Sequence, residues 1–197
     1  MGSTTVGIVT LPGFNEIDSF VATRMIDSVD GLTVELVGPD STAVSMAGVE
    51  VFTPGSFDDT DRHAAVLVGS GNQTFDHIDN AALMASMHFG GNDQLVGSQC
   101  SGAAILHRLG LVDGVPVCTD RFTAPKLIDA GVDVIEQSFR VDGNIATAGG
   151  CLSSAYLAFW VIGRLASMDD AAIALEKVAP VGEEHAFIER ARAATTG

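Results

Sequence analysis

Short β-branched runs that stop at glycine or proline alternate along this chain with segments whose apolar residues recur at helical spacing. That alternation narrows the fold more than any other feature. Residues 5–11 (TVGIVTL) are the first such run, halted by Pro12-Gly13. Ile17, Phe20, Val21, Met25 and Ile26 then predict a helix over 16–29, closed by Asp30-Gly31. Strands are predicted at 32–37, 64–68 and 94–97, with an edge excursion at 42–51 that has Gly48 in its middle. Helices follow over 76–89 and over 101–109, the second ending at Gly110. Beyond it, 115–119 reads as a strand and 124–130 as a helix, and 132–135, 139–141 and 145–147 as short strands about the turn Asp142-Gly143-Asn144. An apolar helix over 152–165 and a last helix over 169–178, started near Ser167 and Asp169, complete the order, with 190–197 as a loose tail. Strand, helix and parallel strand in succession pack most simply as one open sheet with helices on both faces. The expected fold class is therefore α/β, a three-layer α/β/α sandwich with a mostly parallel central sheet, in one domain over 1–197. The ligand site of such a sheet lies beyond the carboxyl ends of its strands.

Charge excludes several partners. Against 25 Asp and Glu stand only 10 Lys and Arg, a formal net charge of −15, with no basic stripe or tail, so nucleic acid is not an expected ligand. Acidic residues in such excess, with Lys126 and Lys177 as the only lysines, point to a halophilic source in which strong screening lets like charges share a surface. The longest apolar stretch, near 156–162, is too short for a membrane span and runs into Arg164. Met1-Gly2-Ser3-Thr4-Thr5-Val6 lacks the charged flank and apolar run of a signal peptide, and Val6 breaks the myristoylation pattern, so a cytoplasmic location is expected. The Gly69-Ser70-Gly71 turn completes neither a dinucleotide fingerprint nor a Walker loop, so no cofactor is expected. His63, His77, His88, His107 and His185 are scattered, and Cys100, Cys118 and Cys151 lack metal-site spacing, so neither a metal nor a disulfide framework is expected. Cys118 reads as a core residue, Cys151 at a helix start foremost as a small packing residue and otherwise as one that approaches the site, and Phe159 and Trp160 as core or dimer contacts.

The chemically informative segment is Gln94-Leu95-Val96-Gly97-Ser98-Gln99-Cys100-Ser101-Gly102-Ala103-Ala104. An apolar strand runs through a cysteine straight into a helix, with small residues two before and two after it, as a nucleophile elbow requires. Such a turn forces its central residue into strained backbone geometry, and only small flanking side chains avoid a clash. A sulfur at a helix N-terminus should have a lowered thiol pKa. The other reading of Cys100 is a buried cysteine that ends a core strand.

The elbow and its surroundings resemble the DJ-1/PfpI, or ThiJ-like, superfamily over roughly 5–180. Its pieces are the first strand with Pro12-Gly13-Phe14-Asn15-Glu16-Ile17-Asp18, the turn Val66-Leu67-Val68-Gly69-Ser70-Gly71-Asn72, the elbow Cys100-Ser101-Gly102, the run Leu109-Gly110-Leu111-Val112-Asp113-Gly114, and Asp142 through Gly150 ahead of a long helix. The resemblance implies a flavodoxin-like sandwich of the class I glutamine amidotransferase type. It also implies an acidic residue facing the sulfur, Asp18 by position with Glu16 as second candidate, and an oxyanion hole from the backbone N–H groups of Gly71 and Ser101. Asp120 stands where many relatives have histidine, so a Cys-His-Glu triad and peptidase activity are not implied. Cys100, Asp18 and Ser101 instead match the isocyanide hydratase-like branch, which implies a cofactor-independent homodimer acting on a small electrophilic substrate. The alternatives are a redox-responsive or protective protein, glyoxalase- or deglycase-like or with Cys100 oxidised to a sulfinate held by Asp18, and a noncatalytic small-molecule binder. No appended DNA-binding helices are expected.

Overall fold

The computed structural model describes residues 3–91 and 93–195; Met1 and Gly2 of the expected leaderless start, and Thr196 and Gly197 of the expected tail, lie outside these. The chain runs β1 (Thr4–Val9), α1 (Glu16–Ile26), β2 (Leu32–Val37), β3 (Thr42–Val44), β4 (Glu50–Phe52), β5 (Ala65–Val68), α2 (Thr74–Asp79), α3 (Ala81–Ser86), β6 (Leu95–Gln99) and α4 (Gly102–Arg108). It continues through α5 (Ala124–Asp129), β7 (Phe139–Asp142), β8 (Ile145–Ala148), α6 (Ser154–Leu165), α7 (Met168–Glu176) and α8 (Glu184–Thr195). Six strands form one sheet in the order β2-β1-β5-β6-β8-β7. Every neighbouring pair is parallel except β7 with β8.

The period-2 pattern of the strands builds two cores at once. In β5, Ala65 and Leu67 face one core while Val66 and Val68 face the other. Val6 and Ile8 of β1 join the first core and Val9 the second. The first is closed by Met25 and Ile26 of α1, the apolar face of α6 from Leu157 to Ile162, Leu175 of α7 and Ala191 of α8. Met84 of α3, Ala103 to Leu106 of α4 and Leu127 of α5 close the second. Gly97 lets α6 lie close on β6, because a Cβ there would stand 2.6 Å from Leu157 Cδ1.

Four local expectations are corrected. The segment 76–89 is two short helices, split where Asn80 Oδ1 accepts from the Leu83 N–H and caps α3. Residues 115–119 and 132–135 are not strands, and share only one parallel bridge between Val117 and Val134. The excursion at 42–51 is a separate antiparallel ribbon, β3 with β4, turned at Gly48 with φ +86°. The expected loose tail from Arg190 lies largely within α8, whose Ala191 is fully buried against the first core.

β1 pairs with β2 on one side and β5 on the other, so successive connections diverge there and open a crevice at the carboxyl ends of β1, β5 and β6.

Candidate active site

Loops leaving β1 and β5 are stitched together over that crevice. The Asn15 N–H donates to Ser70 O at 2.8 Å and the Asn72 N–H to Gly13 O at 3.1 Å. Gly71 is required there, since a Cβ on it would meet Gly13 O at 2.6 Å. Asn15 caps α1 by accepting the Ile17 N–H on Oδ1 at 3.0 Å. An acidic residue in a first helical turn usually faces water. Asp18 instead points inward and is 3% exposed. Its Oδ2 accepts from the Ser70 hydroxyl and, at 3.2 Å, from the Ser70 N–H, while its Oδ1 is buried with no partner.

Cys100 stands at the end of β6. Its N–H donates to Ala148 O at 2.8 Å, continuing the ladder with β8, and its carbonyl accepts from the Thr119 hydroxyl at 2.7 Å. Held on both sides, Cys100 takes φ +47°, the one positive φ outside glycine among the described residues. That conformation costs about 1–3 kcal/mol and persists only where its surroundings impose it. Gly102 makes it possible, because a Cβ two residues after the cysteine would lie 2.4 Å from Val68 O. The elbow expected from the sequence is thus formed, with its sulfur in the crevice.

A carboxylate oxygen of Asp18, Cys100 Sγ and Cys151 Sγ all lie within 4.8 Å of one another. Cys151, read foremost as a packing residue, takes instead the second reading and is part of the site; it opens the turn after β8, and Asn15 Nδ2 donates to its sulfur at 3.2 Å. Gln99 Nε2 donates both to Cys100 Sγ, at 3.6 Å, and to Gly150 O, at 2.6 Å, joining the elbow to the Cys151 turn. Two thiols and a carboxylate so close are also a donor set that a thiophilic divalent cation would accept.

Burial pushes the Asp18 carboxyl up from its ordinary 3.8 to about 6, against the Ser70 hydrogen bonds and the nearby Cys151 thiol, which favour the charged form. Burial and then the Asp18 charge, with smaller contributions from Cys151 and Asp120, push the Cys100 thiol up strongly, against the Gln99 amide. This reverses the expected lowering. A helix of seven residues beginning beyond Ser101 adds little against burial in an acid-lined crevice. The pair Asp18 and Cys100 consequently holds a single proton through the neutral range, and its titration belongs to both groups together.

Ser101 and Gly71 are also in the crevice, bonded to one another. The Gly71 N–H donates to Ser101 Oγ at 3.3 Å, the Ser101 hydroxyl lies 2.8 Å from Thr74 Oγ1, and the Thr74 hydroxyl donates to Gly71 O at 2.9 Å. Glu16, the second acidic candidate, and Asp120, which stands at the relatives' histidine position and is the other secondary site candidate, have other partners. Glu16 accepts from the Ser45 hydroxyl and the Ala47 N–H on the ribbon side, hydrogen bonds that hold its carboxyl below its ordinary range. Asp120 caps the turn into α5 by accepting the Phe122 and Thr123 N–H groups at 2.8 and 3.0 Å, and reaches the crevice only through its charge. Ser70, Thr74, Gln99 and Asn15 were not singled out by the sequence; Ser70 and Gln99 adjoin residues that were, and only the strand order shows that they converge.

A sequence model of the DJ-1/PfpI family matches residues 4–163. The chain belongs to the DJ-1/PfpI family. No curated protein matches it by sequence. A ThiJ/PfpI family protein from Pseudomonas syringae superposes with a TM-score of 0.80 at 21% identity, covering 99% of this chain and 88% of that one. Schizosaccharomyces pombe DJ-1 gives 0.75 at 15% identity, over 90% of this chain and all of that one, and Drosophila melanogaster DJ-1beta gives 0.74 at 17%, over 89% and 97%. At such identities these likenesses establish the DJ-1/PfpI fold, a mostly parallel sheet between helices. The family includes proteases, hydratases and deglycases that use a cysteine nucleophile. Among the described residues no helix is long and apolar enough to cross a membrane.

Proposed function

We propose that this chain is a cofactor-independent hydratase of small electrophiles, isocyanide hydratase-like, with Cys100 as nucleophile and Asp18 as its proton carrier. The observation that carries this reading is the strained Cys100 with a buried, half-partnered carboxyl beside its sulfur. Asp18 Oδ1 is free to take the thiol proton because Ser70 occupies Oδ2. Titrating at about 6, the carboxylate is a base at neutral pH whose conjugate acid is strong enough to return the proton.

An isocyanide R–N≡C would be hydrated in two stages. Cys100 gives its proton to Asp18 as the sulfur bonds to the terminal carbon, and Asp18 delivers that proton to the same carbon, leaving a thioimidate, S–CH=N–R. Water adds to the carbon with Asp18 relaying its proton to nitrogen, and the C–S bond breaks to release the formamide and regenerate the thiol. Ser101, Thr74 and the Gly71 N–H lie ready to exchange their mutual bonds for bonds to the developing polar atoms. Phe122 and Leu152 are left largely exposed, apolar surface that suits the homodimer proposed for this protein.

A panel of alkyl and aryl isocyanides and of α-oxoaldehydes, assayed for formamide and hydroxy acid, tests the reading. Turnover abolished by Cys100→Ala supports it, and full turnover by that variant sinks it. Turnover of the α-oxoaldehydes alone would favour the glyoxalase-like alternative.

A further inference from the structure

The mechanism above leaves one nucleophile of the site unused. Cys151 Sγ lies within 4.8 Å of Cys100 Sγ, yet takes no part in carrying protons or binding the reacting carbon. We propose that Cys151 is a resolving cysteine, which condenses with a hydroperoxide-oxidised Cys100 to form an intramolecular disulfide that reversibly withdraws the nucleophile. The proposal rests on the reading of Cys100 as the reactive thiol and adds a control to it.

Three features of the chain favour this bond. β6 and β8 are adjacent parallel strands with Gln99 opposite Ala148, so the residues that follow them leave the sheet side by side. The Asn15 amide is oriented by its own role as helix cap, Oδ1 being committed to the Ile17 N–H, so Nδ2 holds the Cys151 sulfur in the crevice. Closing the sulfurs to about 2.05 Å requires a small local movement. The adjoining Gly150 provides a pivot: it sits at φ +84° with nothing within 4 Å of where its Cβ would be, whereas a Cβ on Gly149 before it would stand 2.5 Å from Thr119 O. Cys118 has no such geometry. It is fully buried, and its N–H is fixed on Thr147 Oγ1 at 2.8 Å.

The chemistry uses a hydroperoxide, ROOH, as oxidant. Cys100 passes its proton to Asp18 as the sulfur attacks the terminal peroxide oxygen; the O–O bond breaks, ROH leaves with that proton, and the sulfur is oxidised to sulfenic acid. Cys151 then attacks the sulfenic sulfur, the S–S bond forms as the S–O bond breaks, and the hydroxide leaves as water with the Cys151 proton. Both thiols become one disulfide, and ROOH becomes ROH and water. The bond forestalls further oxidation of Cys100 to the irreversible acids and is undone by a dithiol.

The test treats the whole protein with a small excess of hydrogen peroxide, blocks remaining thiols with N-ethylmaleimide, and maps peptides by mass with and without dithiothreitol. A dithiothreitol-sensitive link between the Cys100 and Cys151 peptides is expected. In Cys151→Ser the expected result is a Cys100 sulfenic acid trapped when dimedone is present and, in its absence, sulfinate formation about tenfold faster than in the unaltered protein. Cys100 sulfinate appearing equally fast in both proteins, with no link between the two peptides, overturns the proposal, as does a link through Cys118. Iodoacetamide labelling in parallel separates the two ideas: fast labelling of Cys100 without a disulfide refutes the resolving role alone, and a Cys100 inert to both reagents refutes the nucleophile as well.

Discussion

Asp18→Asn removes the carboxyl that shares a proton with Cys100, and its effect on that thiol can be worked out from one number. In the unaltered protein Asp18 titrates at about 6, so above that pH the pair holds one proton, and the reactive form, with thiolate sulfur and protonated carboxyl, is a fixed fraction of the molecules. Losing the second proton is opposed by two charges within 4.8 Å of each other, about 3.5 kcal/mol at an effective dielectric near 20. Cys100 alkylation in the unaltered protein should therefore level off above pH 6. In Asp18→Asn there is no carboxylate to hold the charge, and the thiolate fraction climbs tenfold per pH unit. The two profiles coincide below about pH 6 and part above it, so that at pH 8 the variant reacts about a hundredfold faster, that is, ten to the power of the pH difference from the Asp18 value. Turnover moves the opposite way, because the variant has a thiolate but no proton carrier. Iodoacetamide rates read by peptide mass spectrometry, with the buried Cys118 outside the crevice as internal control, supply the assay. An unaltered protein whose Cys100 rate rises tenfold per unit between pH 6 and 8, or a variant no faster than it at pH 8, refutes the shared proton.

The same substitution should change stability with pH. Asp18 binds its proton more tightly folded, at about 6 against an ordinary 3.8, so its contribution to stability is fully present below about pH 4 and is lost as pH rises through 6. The loss amounts to about 3 kcal/mol by pH 7; the melting temperature of Asp18→Asn relative to the unaltered protein should accordingly rise between pH 4 and pH 7, and a constant difference would contradict the burial argument. Gly102→Ala puts a methyl 2.4 Å from Val68 O and 2.9 Å from Gly69 O. It should cost about 1–3 kcal/mol in urea melts and most of the turnover, whereas a neutral result would mean that the elbow does not depend on that glycine. The net charge of −15 leads to a third expectation, a higher melting temperature in molar KCl than in dilute buffer; no gain would count against a halophilic origin.

The layer order and the elbow were legible because each is written in local chemistry. β-Branched runs ending at Gly or Pro mark the strands, and the Ser98, Cys100 and Gly102 spacing marks the turn. Where signals were local but weak, they misled. The apolar alternation of 115–119 and 132–135 reflects burial of Val117 and Val134 beside α5 rather than a ladder, and the two segments share one bridge. α8 was missed because its face is a sparse stripe of Phe187, Ile188, Ala191 and Ala194, at helical spacing but with little apolar bulk. Of the neighbours of Cys100, Asp18, Gly71 and Ser101 came only through the family resemblance, and the contact with Cys151 was not legible in any local pattern. Cys151 lies 51 residues along the chain from Cys100 and meets it because β8 pairs with β6, a strand order that no local pattern encodes. The sign of the Cys100 shift was missed for a related reason: position at a helix start is visible in sequence, but the burial and the Asp18 charge that outweigh it are tertiary.

If Cys100 sulfur bonds to the reacting carbon, a covalent intermediate builds up on it during turnover. The most direct test is to quench the protein in acid during steady-state turnover of whichever isocyanide or α-oxoaldehyde it consumes fastest, and to map the adduct by peptide mass. A substrate-derived mass on the Cys100 peptide, lost in Cys100→Ala together with turnover, is the expected result. Turnover that continues in Cys100→Ala, or an adduct confined to Cys151, would contradict it.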